Sequence, residues 1–502
     1  MTRTDITYAN FIGGLTEVAP DLMADEELIE AKNMLADERG AIEKAKGTQR
    51  VINEPLIDDP VDILVEFGKS DGEIIDLAFS GTNMFKWDGT EIKNDLPNAP
   101  LDWTIMNDIL YWFDGTNFWQ YDGETVKEVE MDTEGDEDTW EEIKSCSFLE
   151  QRGQRLFFAQ DNSNVLYFSE IGEPNYVKAT NYIKAITNDS DFINGLKDWG
   201  GALLVFKKDS VFGWFGHDPE EDVEFHKLKT HKGTVSHRTI VSFEDYLIFM
   251  ADDGVYALHS IYPKELNTVN LTDNKISNII KNTKDKHKSV AVYYDRSYRL
   301  SILDDEDNRK EYRLLIVSEQ QGQRGSWFGE FTHPVNCYLT KLEDNKLYSG
   351  HTEKGLIFEH DIGDNYDGEP IHMRVVTKPF DLPDKKIIEI KIRRAFVYAK
   401  QFEERDSTAK VKFVTDYLDD EFDVDFGESL VWEQGSWAKA KWGWTDLVLK
   451  ELKLSNTRKG RRIQAVFENN NLDEPIVIYG VGFSFKTRKI KGSRLGVTEV
   501  DD

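Results

Sequence analysis

Residues 195–216, GLKDWGGALLVFKKDSVFGWFG, and residues 230–258, THKGTVSHRTIVSFEDYLIFMADDGVYAL, decide the fold. In the first, the apolar runs Ala202 to Phe206 and Val211 to Phe215 flank a polar Lys207 to Ser210 without helical spacing, the pattern of two buried strands around a tight turn. In the second, Tyr246 to Met250 and Val255 to Leu258 flank Ala251-Asp252-Asp253-Gly254. There Asp-Gly supplies residues that adopt the positive φ of a hairpin turn. Two copies of one design predict a period.

Outward from these hairpins the chain is a run of short strands. Val61 to Phe67, Ile74 to Ser80, Met84 to Trp87, Ile109 to Phe113, Asn117 to Tyr121, Arg155 to Ala159 and Val165 to Ser169 precede them. Val292 to Tyr294, Tyr298 to Ile302, Arg313 to Val317, Trp327 to Phe331, Lys346 to Gly350 and Gly355 to Glu359 follow. Leu77, Leu110, Leu156, Leu203, Leu247, Leu300 and Leu347 hold equivalent places, separated by 33, 46, 47, 44, 53 and 47 residues. A period of about 45 residues with several strands per unit marks a β-propeller, here of six or seven blades. Phe85, Trp87, Tyr111, Trp112, Phe157, Phe206, Trp214 and Phe249 are expected to fill the space between blades.

Two stretches flank the propeller. In residues 1–50, Gly13-Gly14 asks for a bend or a close backbone approach. From Asp25, the spacing of Leu28, Ile29, Ala31 and Leu35 predicts a short amphipathic helix with Glu26 and Glu27 in its first turn. Beyond Gly368, strands at Met373 to Val376, Ile387 to Tyr398, Lys410 to Thr415, Leu447 to Leu454, Arg462 to Glu468 and Ile476 to Phe485 predict a β-sandwich. The expected fold is all-β: an N-terminal helix-containing segment (1–50), a β-propeller (51–370), a C-terminal β-sandwich (371–495) and a tail (496–502). Within the propeller, Ile276, Ile279 and Ile280 predict one short inserted helix.

Composition narrows the function. Of 502 residues, 61 are Lys or Arg and 93 Asp or Glu, a net charge of −32. From Ile371 to Asp502 there are 24 bases against 22 acids, and before it 37 against 71, so the excess acid lies entirely ahead of the sandwich. Such a body repels duplex DNA, whose binding rests on Lys and Arg displacing counterions. Cys146 and Cys337 are too few for a disulfide framework. No apolar run approaches the ~18 residues of a membrane helix, and the opening lacks a long apolar leader core, so no membrane anchoring is expected. His226, His231 and His237 match no zinc spacing, and no GxSxG, Walker or GxGxxG box is present, so neither catalysis nor a cofactor nor a metal is expected. Trp432, Trp437, Trp442 and Trp444 read as core or interface, with a sugar-stacking platform as the alternative.

The order of several pieces resembles the tail hub, or nozzle, proteins of short-tailed bacteriophages, which include packaged-DNA stabilisation and tail tubular proteins. NFIGGL and EAKNMLADERGAIEKAKGTQRV place Gly13, Gly14, Asn33, Gly40, Ala41, Lys44 and Gly47 as that family's opening does. YFSEIGEPNY, GALLVFKKDSVFGWFG, KGTVSHRTIV and LIFMADDGVYAL resemble its propeller strands, and the closing sandwich stands in its usual place. The resemblance implies a hexameric ring in the virion tail, assembled in the host cytoplasm. Its partners would be copies of itself, adaptor or head-to-tail connector proteins, and tail fibre or needle proteins, with phage DNA passing through the lumen without specific binding. Asp-Gly tips that could narrow the channel are Asp114-Gly115 and Asp252-Asp253-Gly254. Phe11, Ile12, Gly13 and Gly14, with the basic Lys486, Arg488, Lys489, Lys491 and Arg494, are candidate assembly contacts. A carbohydrate- or receptor-binding tail module and a propeller glycosidase are the alternatives.

Overall fold

The computed structural model describes residues 3–186, 191–216, 224–243, 246–259, 267–315, 325–381, 390–402, 405–415, 419–427, 447–454, 459–460 and 462–487. The chain forms two compact units, one from Lys46 to Asp367 and one from Met1–Ala45 together with Gly368–Asp502. Among the described residues no helix is long and apolar enough to cross a membrane.

The first unit is a propeller of seven blades among the described residues, six of them four-stranded and antiparallel and the seventh part of a larger sheet. Each repeat leucine falls in the second strand of a successive blade: Ile74–Ser80, Ile109–Phe113, Arg155–Ala159, Ala202–Lys207, Tyr246–Met250, Ser297–Leu303 and Leu347–Gly350. All seven are 0% exposed, because a second strand is covered on both faces by neighbouring blades. Each such burial stabilises by about 1.5–3 kcal/mol. Aromatic rings fill the spaces between blades: Phe79 lies 5.3 Å from Trp112, Phe113 5.9 Å from Phe158, Phe157 5.4 Å from Trp214 and Phe206 5.2 Å from Phe249.

The ring closes between its last and first blades. Asn336 Nδ2 donates to Val61 O at 3.0 Å, and Val61, Leu64, Trp87, Cys337, Tyr348 and Ile357 share one core. The seventh blade takes Cys337–Thr340, Leu347–Gly350 and Ile357–His360 from the end of the unit and its fourth strand, Thr48–Arg50, from the beginning, with Asn365–Tyr366 paired in parallel on that strand's other side. Two short helices interrupt the meander. Ser277–Asn282 forms where the isoleucine spacing places it, with Ile280 buried. Glu137–Lys144 was not foreseen; its N-cap is Asp136, whose Oδ1 accepts from Thr139 N at 2.9 Å. Asp136→Ala is expected to lower the urea midpoint, and Asp136→Ser to restore most of it, because only the latter keeps a side-chain oxygen for Thr139 N.

The second unit is a sandwich of two sheets. One joins Met34–Ala36, Ile42–Lys44, Val477–Thr487, Ile390–Lys400 and Leu447–Lys453, with Arg3–Tyr8 alongside Val477–Thr487. The other joins Gly14–Leu15, Glu27–Lys32, Met373–Thr377, Arg462–Asn469, Thr408–Thr415 and Asp419–Asp425. Phe413 meets Phe483 edge to face at 5.6 Å, and Phe380 stacks on Tyr8 at 3.7 Å, so the apolar faces of the two sheets oppose each other.

Two expectations for the N-terminus are corrected. The stretch is not a segment of its own, since its first 45 residues supply strands to both sheets and the next few close the propeller. Nor does it hold a helix: Glu27–Lys32 is a strand paired with Met373–Thr377. Its register shifts between Leu28 and Glu30, and this bulge turns Leu28 and Ala31, three apart, to the same buried side. A bulge adds one residue to a two-residue period and so imitates helical spacing.

Candidate functional site

Six first strands of the propeller and the connection entering the fifth blade bound an axial cavity of about 420 Å³. Its charged lining comes from different blades: Asp62 from the first, Asp102 from the second, Glu150 from the third, Lys197 from the fourth, and His237 and Arg238 from the 3-10 turn His237–Thr239 ahead of the fifth. That turn reaches across the axis. Arg238 donates to Asp62 O at 3.0 Å, Leu101 O at 3.2 Å and Pro100 O at 3.3 Å. His237 Nε2 lies 2.9 Å from Asp102 Oδ2, which also accepts from Leu149 N at 2.8 Å.

The hydrogen bonds fix what this cluster does. Leu196 N points at His237 Nδ1 at 3.3 Å, so Nδ1 accepts and the proton sits on Nε2, facing Asp102. Both ring nitrogens are occupied, and neither is placed to take a proton from a nucleophile. Glu150 accepts from Lys197 Nζ at 3.2 Å and Asp198 N at 3.2 Å. Burial pushes its carboxyl above the usual range, against the pull of Lys197. Burial likewise raises Asp62, against Arg238. Each formal charge in the cavity therefore has an opposite charge or carbonyls against it, and the arrangement ties the second, third and fourth blades to the turn ahead of the fifth. Asp102→Ala would strip the acceptor from His237 Nε2–H and Leu149 N. A loss of about 2–4 kcal/mol in urea titrations is expected, from two buried donors left without a partner.

The Asp-Gly tips, expected to narrow a channel, are pinned turns. Asp114 is 3% exposed. Its Oδ1 accepts from Thr116 N, Thr116 Oγ1 and Asn117 N at 2.7–2.8 Å, and its Oδ2 accepts from Trp119 Nε1 at 2.8 Å. Gly115 takes φ +83°, which a side chain would strain. Asp252 holds Lys286 Nζ at 2.8 Å and faces Lys208 Nζ at 3.5 Å, while Asp253 meets Lys232 Nζ at 3.0 Å. The Lys286 hydrogen bond leads in keeping the Asp252 carboxyl below its usual range. These lysines come from the fourth blade's turn and the connections on either side of the fifth, so the tip is tied to its neighbours. Gly254 does not use a positive φ; a Cβ there would lie 2.4 Å from Thr272 Oγ1, so close approach is what requires glycine.

The N-terminal assembly candidates are accounted for by their own unit. Phe11 is fully buried and Ile12 nearly so. A Cβ on Gly13 would sit 2.8 Å from Glu26 O, and Gly14 takes φ 63°. Lys486 lies in the strand Val477–Thr487, in register with Arg3. Arg488, Lys489, Lys491, Arg494 and the four tryptophans at 432–444 lie outside the described residues. The cluster that sequence reasoning missed is the axial one: His237 was weighed only against zinc spacings, and Asp102, Glu150 and Lys197 carried no motif.

The excess acid is sharply placed on this fold. The propeller, Lys46 to Asp367, carries 33 Lys and Arg against 60 Asp and Glu.

No family model matches the chain, and no curated protein matches it. Among solved structures it is similar to the extracellular domain of a hybrid two-component system from B. thetaiotaomicron, with TM-score 0.43 and 10% identity over 91% of this chain and 62% of that one. This chain thus spans less than two thirds of that domain's length. It is similar to the Neurospora crassa Pan2 WD40 domain, with TM-score 0.36 and 7% identity over 65% of this chain and 97% of that one. It is also similar to an exo-β-1,3-galactanase from Phanerochaete chrysosporium, with TM-score 0.28 and 7% identity over 85% of this chain and 100% of that one.

Proposed function

We propose that the chain is a structural tail hub, or nozzle, protein of a short-tailed bacteriophage, one subunit of a ring through which packaged DNA leaves the virion, and that it has no catalytic activity. The observation that carries this reading is the charge of the propeller, 33 bases against 60 acids, beside a nearly balanced C-terminal stretch. Carboxylates along a lumen repel phosphates and let duplex slide, whereas a basic lumen would hold it by counterion release. The propeller's own axis is spanned by Arg238, so in this reading the conduit runs between copies of the chain and not through any single propeller. Holding DNA back calls for broad subunit contacts, typically about 2,000 Å² or more in an obligate ring.

The ring would sit in the virion tail, against adaptor or connector proteins above and fibre or needle proteins below. Replacing lumen-facing carboxylates by Lys is expected to leave particle assembly intact and to slow DNA ejection about tenfold or more, because the new cations bind passing phosphates. Ejection kinetics of purified particles check this. Variants that eject at the normal rate and lose infectivity only through adsorption would replace the conduit with the receptor-binding reading.

A further inference from the structure

The propeller's first and last strands meet through three residues, Thr48–Arg50, paired antiparallel with Ile357–His360 and, on the other side, in parallel with Tyr366. Packed on that closure is a buried polar cluster drawn from the sixth and seventh blades. His360 Nε2 shares a 2.7 Å hydrogen bond with Ser349 Oγ, inside the seventh blade. His333 Nδ1 shares one of 3.3 Å with Thr48 Oγ1, on the closing strand itself. His333 Nε2 is buried with no hydrogen-bond partner among the described residues. The two imidazoles lie 5.3 Å apart and nearly perpendicular.

The charges around them are already balanced without a proton on either ring. Arg313 pairs with Glu311, Arg299 with Asp361, and Arg313 Nη1 lies 3.6 Å from the same Asp361. The other Glu311 oxygen accepts from Tyr338 Oη at 2.5 Å. Besides these groups, His333 faces Phe358, Tyr366 and, more remotely, His351, and His360 faces the ring of Tyr338. A proton added to either histidine therefore places a third cation beside two guanidiniums whose carboxylates are already engaged. In a buried site that is costly.

We propose that these two histidines make the closure of the propeller an acid-sensitive latch: neutral, they hold the Thr48–Arg50 strand in the seventh blade, and protonated, they release it before the rest of the ring unfolds. Burial pushes His360 down to about 4, and His333 well below its ordinary value. A histidine whose folded value is depressed costs stability as pH falls from its unfolded value near 6.5 towards the folded one. Burial opposes ionisation of Glu311 and Asp361, but the arginines outweigh it and hold both carboxyls below their usual range, so these titrate later.

Hydrogen exchange of the full chain, corrected for intrinsic rates, tests this. Between pH 7.5 and pH 5, peptides covering 46–53 and 357–362 are expected to lose protection about 30-fold from His360 alone, while blades two to four keep theirs. His360→Gln, which preserves a partner for Ser349, and His333→Phe are each expected to flatten that response. The latch is refuted if the closing peptides keep their protection to pH 5, or if they lose it only together with the whole propeller. It is also refuted if a folded histidine variant opens as wild type does; the wild-type profile decides the matter alone should neither variant fold.

Discussion

Glu311→Ala is expected to lower the stability of the propeller by about 3–5 kcal/mol, the cost of leaving a buried cation without its partner. The side chains of Glu311 and Arg313 are 2% and 4% exposed, so water cannot replace what the substitution removes. Among the described residues Arg313 would keep the longer contact to Asp361 and the face of Phe331, 4.0 Å away, and Tyr338 would lose the acceptor of its hydroxyl. The pair itself need not be net stabilising, because two ions taken out of water repay much of their attraction as desolvation. Glu311→Met combined with Arg313→Met should therefore recover at least half of the single variant's loss. Urea midpoints read by tryptophan fluorescence give both values. A double variant as unstable as Glu311→Ala would show that the network, and not the orphaned charge, carries the stability.

Trp327→Ala is the second large loss expected, about 3–5 kcal/mol, from a fully buried indole in the last strand of the sixth blade. Its ring meets Tyr298 edge on at 6.4 Å, and its Nε1 donates to Leu271 O at 2.8 Å, tying the sixth blade to the connection after the fifth. Trp112 in the second blade is equally buried, but its Nε1 has no hydrogen-bond partner among the described residues. Replacing each by Phe separates the two contributions. Trp327→Phe should cost about 1–3 kcal/mol more than Trp112→Phe, because only the former leaves an acceptor unsatisfied.

The parts of this fold legible in the sequence are those buried on two faces. Leu203 and Leu247 sit in second strands that neighbouring blades cover completely, so their segments are continuous apolar runs bounded by turns. First strands were largely missed for the opposite reason. Asp102–Met106 (DWTIM) and Phe148–Arg152 (FLEQR) face a charged cavity, and their polar residues break the apolar signal. The outermost strands Glu91–Lys93 and Val126–Glu128 are short and polar, as edges in water are.

The axial cluster left one trace that could have been read. Glu150 and Lys197 each stand six residues ahead of a repeat leucine, Leu156 and Leu203, and opposite charges at one place in consecutive repeats predict their ion pair. The Asp102–His237 contact left none, since it joins the second blade to the turn ahead of the fifth across the axis. The pinning of the tips at Asp114 and Asp252 was not legible, because sequence gives a turn its Asp and Gly but not the donors that hold it.

The conduit reading is tested most directly by electron microscopy of the purified chain mixed with DNA-filled heads that lack tails. It predicts closed rings of this protein seated coaxially on the head vertex, with an open lumen between subunits wide enough for duplex DNA. Single propeller particles, alone or bound away from that axis, would contradict it.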